Sequence, residues 1–262
     1  YLLEAYDGRV PNEERVDKAI AWLDLPDDKR PQFISLYFSI VDSAGHKYGP
    51  DSKEVKNAIT EIDGLLGKLY TKIKNHDLAD NIQLLIVSDH GMSQLSRDRV
   101  VFYDDYINTD EVYFNGNYTP IGTISAKNPE DTQKIYEQLK NAHPNMNVYL
   151  KSNMPEHLHY SKHPYISDII TVADQGWSLT TRDYFNDRPS LFTGGTHGYD
   201  PDNASEMNGI FIANGTKFNQ KATVDTYQTI DLYELMCTIL EIQPSKNDGN
   251  KERATQILNK VE

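Results

Sequence analysis

Cysteine is nearly absent: Cys237 is alone in 262 residues. A single thiol excludes an intrachain disulfide and any Cys-rich zinc finger. Its surroundings, Leu232 to Leu240, read as an amphipathic helix, so Cys237 is expected to be a small buried hydrophobe rather than a nucleophile. No apolar run approaches eighteen residues, which leaves no transmembrane span in this chain. From Tyr1 onward there is neither a basic start nor a long apolar run, so no signal peptide is read there. Basic residues are scarce against acidic ones, 26 to 39, for a formal charge of -13. That balance excludes nucleic-acid duplex or anionic-membrane binding driven by bulk charge. Internal repeats and low-complexity segments are also missing.

What is present suits a folded domain. Hydrophobic residues make up 38% of the chain, with 17 tyrosines, enough to bury a sizeable core. Leu84-Leu85-Ile86-Val87 reads as a short strand buried on both faces of a parallel sheet. It stops at Asp89-His90-Gly91, a carboxylate beside an imidazole. Phe33 to Val41 reads as another strand, ending in Asp42 and His46. Between them lies a helix capped by Asp51 or Ser52, with Val55, Ile59, Ile62, Leu66, Leu69 and Ile73 on one stripe. Strand, loop, helix and strand in that order point to a parallel βαβ crossover. An earlier helix is expected from Asn12, carrying Val16, Ala19, Ile20 and Leu23. An α/β domain that opens on a helix is expected to have further structure upstream.

From about Asp110 to Trp177 the pattern changes. Strands are predicted at 121–126, 147–151 and 168–173, with a helix over 129–142. The expected fold class is therefore α/β, a largely parallel central sheet flanked by helices. Residues 1–109 and 178–262 form the core, and 110–177 form a small inserted α+β lid. His157, His159 and His163 fall in an irregular part of that lid. Each reads as a surface or hydrogen-bonded histidine, because no carboxylate stands at comparable spacing. A buried strand over 209–213, a helix from Thr229 or Asp231 and a loosely held polar tail beyond Pro244 complete the expectation. Asn117, Asn203 and Asn214 head N-x-S/T sequons, roughly the two or three expected by chance.

The chemistry collects at three places. Asp42 and His46, Asp89 and His90, and His197 within Thr193-Gly194-Gly195-Thr196-His197-Gly198 would all stand at the carboxyl edge of one sheet, where open α/β sheets bind ligands. The glycines around His197 permit close backbone approach to something. Carboxylates and imidazoles are zinc ligands. Two Asp and three His exceed one tetrahedral site and fall short of two. Two metals about 3.5–4 Å apart would clamp the attacking and leaving oxygens of a phosphoryl displacement. The plainer alternative is three surface loops with incidental polar residues.

Three ordered stretches, Asp42-Ser43-Ala44-Gly45-His46-Lys47-Tyr48-Gly49-Pro50, Ser88-Asp89-His90-Gly91-Met92 and Thr196-His197-Gly198-Tyr199-Asp200, resemble the nucleotide pyrophosphatase/phosphodiesterase family of the alkaline phosphatase superfamily. The resemblance runs nearly the whole length, taking in residues 6–11, 174–177 and 233–237. It implies an alkaline-phosphatase-like fold and two zinc ions. One zinc would be held by Asp42, His46 and His197. The other would use Asp89 and His90 with a second aspartate and a threonine nucleophile. The implied reaction splits phosphodiester and pyrophosphate bonds of nucleotides, nucleotide sugars or dinucleotides through a phosphorylated threonine, releasing a nucleoside 5′-monophosphate. Tyr6 matches a position that stacks on the base; a loop aromatic covering the core is the competing reading.

The family's threonine and second aspartate lie upstream of everything in this chain, and Thr196 does not match the nucleophile. No catalytic residue is therefore assigned here. The chain resembles the carboxyl-terminal two thirds of a catalytic domain, whose missing segment would be a second polypeptide partner. The alternatives are an inactive zinc-binding fragment, or a superfamily hydrolase of phosphomonoesters, sulfate esters or lipid phosphodiesters. The implied location is extracellular or a secretory or vacuolar lumen, with anchorage through the upstream segment left open.

Overall fold

The computed structural model describes residues 6–116 and 119–259. Seven α-helices are found there: α1 (Asn12–Leu23), α2 (Ile40–Tyr48), α3 (Lys53–Lys74), α4 (Thr132–Leu139), α5 (Arg182–Asp187), α6 (Asp231–Ile239) and α7 (Lys251–Ala254). The strands are β1 (Leu84–Val87), β2 (Ser93–Gln94), β3 (Val100–Phe102), β4 (Val112–Phe114), β5 (Ile121–Ala126), β6 (Met146–Leu150), β7 (Ile169–Ala173), β8 (Ser178–Thr180), β9 (Gly195–Thr196) and β10 (Phe211–Asn214). None of the helices is long and apolar enough to cross a membrane. The chain divides into two units: Tyr1–Phe38, Glu61–Asp89 and Ile210–Glu262 form the first, Ser39–Thr60 and His90–Gly209 the second.

In the first unit, Val16 of α1 packs with Leu65 and Leu69 of α3, four residues apart on one helical face. Lys68–Glu13 and Lys72–Asp17 pair across the same contact at 2.6 and 2.5 Å. These pairs are exposed, and such pairs contribute about 0–1 kcal/mol each, so apolar burial holds the two helices together. In the second unit, Ser52 begins α3 as expected, its Oγ accepting the Val55 N–H at 3.2 Å.

β1 forms where predicted but pairs antiparallel with β10, Leu84 opposite Asn214 and Val87 opposite Phe211. Both strands are half-buried, and Val87 and Ile212 are exposed, so neither is covered on both faces. The expected strand over 33–41 is not there. Residues 33–38 alternate between exposed and half-buried, as a strand would, yet they pair with no strand among the described residues. A period of two places side chains, but only a neighbouring ladder makes a strand. The expected parallel crossover from 33–41 to 84–87 is therefore not formed.

As far as Asn259, the polar tail is not loose. Ala254 and Ile257 pack into one cluster with Leu235 of α6 and Phe218. Arg253 holds the fully buried Asp231 through Nε to Oδ2 at 2.5 Å and Nη2 to Oδ1 at 3.0 Å. Cys237 is buried in α6, as expected.

The second unit carries a four-stranded antiparallel sheet in the order β4-β5-β7-β6, formed by residues 112–173. α4 lays Ile135, Tyr136 and Leu139 into its core with Ile124 and Ile169. Each fully buried Leu or Ile contributes about 1.5–3 kcal/mol of transfer free energy. β7 is buried at every position, and Tyr103 reaches its Thr171 with a hydroxyl–hydroxyl bond of 2.6 Å. β3 and β8 make the one parallel pairing among the described strands.

Candidate metal centre

Asp42 and His46 stand on α2, not on a loop after a strand. The local sequence explains the helix. Asp42 lies in its first turn and His46 and Lys47 in its last, each complementing the helix dipole. Gly49, at φ 87°, ends the helix by giving its N–H to Gly45 O at 2.9 Å, and Pro50 cannot continue it. The four-residue spacing then sets both side chains on one face. His46 Nε2 lies 3.4 Å from Asp42 Oδ1.

His197 follows β9, which pairs antiparallel with β2. The strands leading to Asp89 and His197 thus belong to separate sheets, β1 with β10 and β9 with β2, rather than to one carboxyl edge. What the flanking glycines admit is α2. A Cβ on Gly194, at φ 71°, would collide with the His46 carbonyl. A Cβ on Gly195 would come within 2.7 Å of Gly45 O. Gly45 faces Met92 in turn, where a Cβ would meet Cε at 2.9 Å. That contact explains a glycine in mid-helix, where it costs about 1 kcal/mol relative to alanine.

The close approach has a chemical consequence. Gly195 O accepts a bond of 2.9 Å from His46 Nδ1, which makes Nε2 the basic nitrogen of that ring and points it at Asp42. A carbonyl behind a ligating imidazole is the usual way its tautomer and orientation are set. His197 Nε2 lies 3.9 Å from the same Asp42 Oδ1. All three donor atoms fall within 4.8 Å of one another. Asp42 Oδ1 is buried, and among the described residues it has no hydrogen-bond partner. A buried oxygen left unbonded costs about 1–3 kcal/mol unless something else satisfies it. In a tetrahedral site with bonds of about 2.0–2.1 Å the donors stand about 3.3–3.4 Å apart. The residues therefore fit a divalent transition ion with two imidazoles, one carboxylate and a position left open.

His90 stacks on His197, ring centroids 3.4 Å apart and planes 12° apart, and its Nδ1 bonds Gly91 O at 2.8 Å. The glycine behind it is required, since a Cβ on Gly91 would collide with Glu206 O. His90 thus joins Asp42, His46 and His197 in the second unit. Asp89 is exposed in the first unit, two residues beyond β1. Tyr6 belongs to that unit too, 58% exposed, edge-on to Tyr37 at 5.7 Å and under Arg15 at 5.0 Å. The segment after His197 is anchored by Tyr199, whose hydroxyl donates to Trp177 O at 2.9 Å. Burial pushes that phenol's pKa up, so it remains a donor.

His157 is hydrogen-bonded, in line with the sequence reading, but the reason given there fails. Two carboxylates reach it across the chain, Asp200 at 3.0 Å and Asp202 at 3.6 Å from its Nε2. Asp200 is already occupied by the Asp202 N–H and the Asn203 carboxamide, so this cluster satisfies itself.

Gly194→Ala is expected to lower stability by about 1–3 kcal/mol, combining a positive φ with a backbone clash. The displaced strand should also loosen the His46–Gly195 bond. Thermal midpoint and metal retention measured together would check this; wild-type values for both would mean that α2 and β9 do not depend on that contact.

The sequence profile of the type I phosphodiesterase/nucleotide pyrophosphatase family matches residues 1–200. A venom phosphodiesterase of Crotalus durissus collilineatus is 36% identical over 269 residues, covering 98% of this chain and 31% of that protein. A bis(5′-adenosyl)-triphosphatase of Xenopus laevis is 34% identical over 250 residues, covering 93% of this chain and 52% of its own. Among solved structures, murine ectonucleotide pyrophosphatase/phosphodiesterase 5, in an inactive threonine-to-alanine form with AMP, matches at a TM-score of 0.85 and 32% identity. That match covers 98% of this chain and 66% of the other. The chain thus spans about a third to two thirds of the relatives it matches. The expected alkaline-phosphatase-like α/β class is borne out.

Proposed function

Because the chain belongs to the type I phosphodiesterase/nucleotide pyrophosphatase family, we propose that it forms the larger part of a zinc-dependent hydrolase of nucleotide pyrophosphate and phosphodiester bonds, releasing nucleoside 5′-monophosphates. The observation that carries the reading is the unbonded Asp42 Oδ1 beside two imidazole nitrogens. Asp42, His46 and His197 hold one zinc. Asp89 and His90 contribute to a second, as the family resemblance implies, and Tyr6 stacks on the base. When bound, zinc supplies positive charge to the phosphoryl and leaving oxygens, the main requirement of phosphoryl transfer. The chain's own part is to orient donors. Gly195 O sets the His46 tautomer, α2 holds the Asp42–His46 spacing, and the Tyr199 bond fixes the segment behind His197.

The threonine nucleophile and a second aspartate come, in this reading, from a segment outside the 262 residues. The murine relative named inactive in its threonine-to-alanine form supports a threonine in that role. The first unit offers an apolar surface for such a segment: Phe33, Tyr37, Val87, Ile210 and Ile212 are each 46–56% exposed. β1 has no strand on its second edge among the described residues. Residues 110–177 act as an inserted lid in this reading. Pro120, at the entry to β5, would lie 3.4 Å from a Cβ on Gly198, beside the His197 turn. The venom and ecto-enzyme relatives support an extracellular location.

The test joins metal analysis to hydrolysis of a nucleotide 5′-p-nitrophenyl ester. Protein including the upstream segment is expected to bind two zinc ions and turn over, and to stop when a chelator removes them. This chain alone is expected to retain zinc without turnover. Zinc-dependent turnover by the chain alone would overturn the need for the segment, and no zinc in either form would overturn the centre itself.

A further inference from the structure

Beside the edge strand β6 and the turn after β7, Asn145, Asn147, Asp174, Gln175, Trp177 and Asn203 line a recess of about 370 Å³. It is a shallow, open depression rather than an enclosed cavity. Its chemistry is specific. Asn145 and Asn147 each donate one carboxamide N–H to Asp174, at 3.2 and 3.0 Å, setting two amides around one carboxylate. Such groups offer paired donors and acceptors to neighbouring hydroxyls, and an indole offers an apolar face to the C–H side of a sugar ring. The Asp174 carboxylate and the charge of -13 disfavour an anionic occupant.

The lining residue Asn203 heads the sequon Asn203-Ala204-Ser205 and is exposed. Asp200 Oδ2 accepts one of its carboxamide N–H groups at 3.3 Å, so the second N–H can be replaced while that bond persists. Ala204 and Met207 immediately beyond are buried, which holds the turn in place. Asn214 is also exposed, at the end of β10, and is not among the residues lining this recess; the sequon at Asn117 lies outside the described residues.

We propose that Asn203 carries an N-linked glycan whose first N-acetylglucosamine seats in this recess against Trp177. In the modification, Asn203 Nδ2 bonds to C1 of the sugar of a lipid-diphosphate-linked oligosaccharide. The C1–O bond to the diphosphate breaks, that oxygen keeps the electron pair, and the displaced amide proton passes to a base of the transferase. Tethering then supplies the sugar at an effective concentration in the millimolar range, enough to fill a weak site. The proposal rests on passage through the secretory pathway and not on the hydrolytic reaction, so its failure would leave the phosphodiesterase reading standing.

The experiment uses the protein secreted from a eukaryotic host and peptide-N-glycosidase in ¹⁸O water, with peptide masses read over time. Asn203 is expected to convert to ¹⁸O-labelled aspartate, at least tenfold more slowly in folded than in denatured protein. Asn147→Ala, which removes one wall, is expected to restore fast release, with circular dichroism confirming the fold. If that variant unfolds, the folded and denatured wild-type rates alone decide. An unlabelled Asn203 overturns the proposal; a labelled Asn203 released equally fast in both states overturns the seating.

Discussion

His197→Ala should raise the zinc dissociation constant by 100-fold or more. Changes merely behind a ligand cost 10–100-fold, and His197 Nε2 is itself one of the three donors grouped with Asp42 Oδ1 and His46. His90 stacks on the same ring, so its orientation should loosen as well. Zinc per chain after dialysis against a competing chelator gives the answer directly. Since binding to the folded state alone adds to stability, a 100-fold weakening removes up to about 2.7 kcal/mol at saturating metal. The gap in thermal midpoint between zinc-loaded and chelated protein should therefore narrow in the variant. Unchanged retention would strike His197 from the donors and leave Asp42 and His46 as an ordinary i,i+4 pair.

Arg253→Met should destabilise the protein by about 2–3 kcal/mol. Breaking a buried ion pair costs about 3–5 kcal/mol when one charge is stranded. Arg253 is 39% exposed, and Asp231 keeps the N–H groups of Asn250 and Gln228, which moderates the loss. The expected fall in Tm is roughly 4–12 °C at about 2–4 °C per kcal/mol for a chain of this size. Burial alone would raise the Asp231 pKa; Arg253 and the backbone donors outweigh it and hold the carboxyl below its ordinary value. A lowered folded-state pKa stabilises above the unfolded value of about 3.9 and is lost as pH falls through the folded one. The difference between wild type and variant should therefore shrink below about pH 4. A constant difference down to pH 2 would mean that Arg253 acts through packing, not charge.

Much of the candidate site was legible without coordinates, because the residues that meet there are written as short local patterns. Asp42 and His46 four residues apart, a carboxylate–imidazole pair closing an apolar run, and a histidine among glycines are each set by neighbouring residues. Three of the four strands of 110–177 were legible for the same reason, their alternation or apolar density standing next to turn residues; β4, three residues long, was too short to show a period. Local pattern was enough to read the family, the residues that meet as Asp42, His46 and His197, the buried Cys237 and the strand positions that depend on local periodicity. What those patterns pair with emerges from packing alone. Residues 33–38 alternate like a strand, but a strand exists only where a partner backbone accepts its hydrogen bonds. The polarity of the tail beyond Pro244 hid the fact that Arg253, Ala254 and Ile257 close over Asp231 and Leu235. His157 found its carboxylates 43 and 45 residues along the chain, and Gly194 and Gly195 found the backbone of α2. Contacts between residues so far apart depend on the packing of whole elements, which no local pattern encodes.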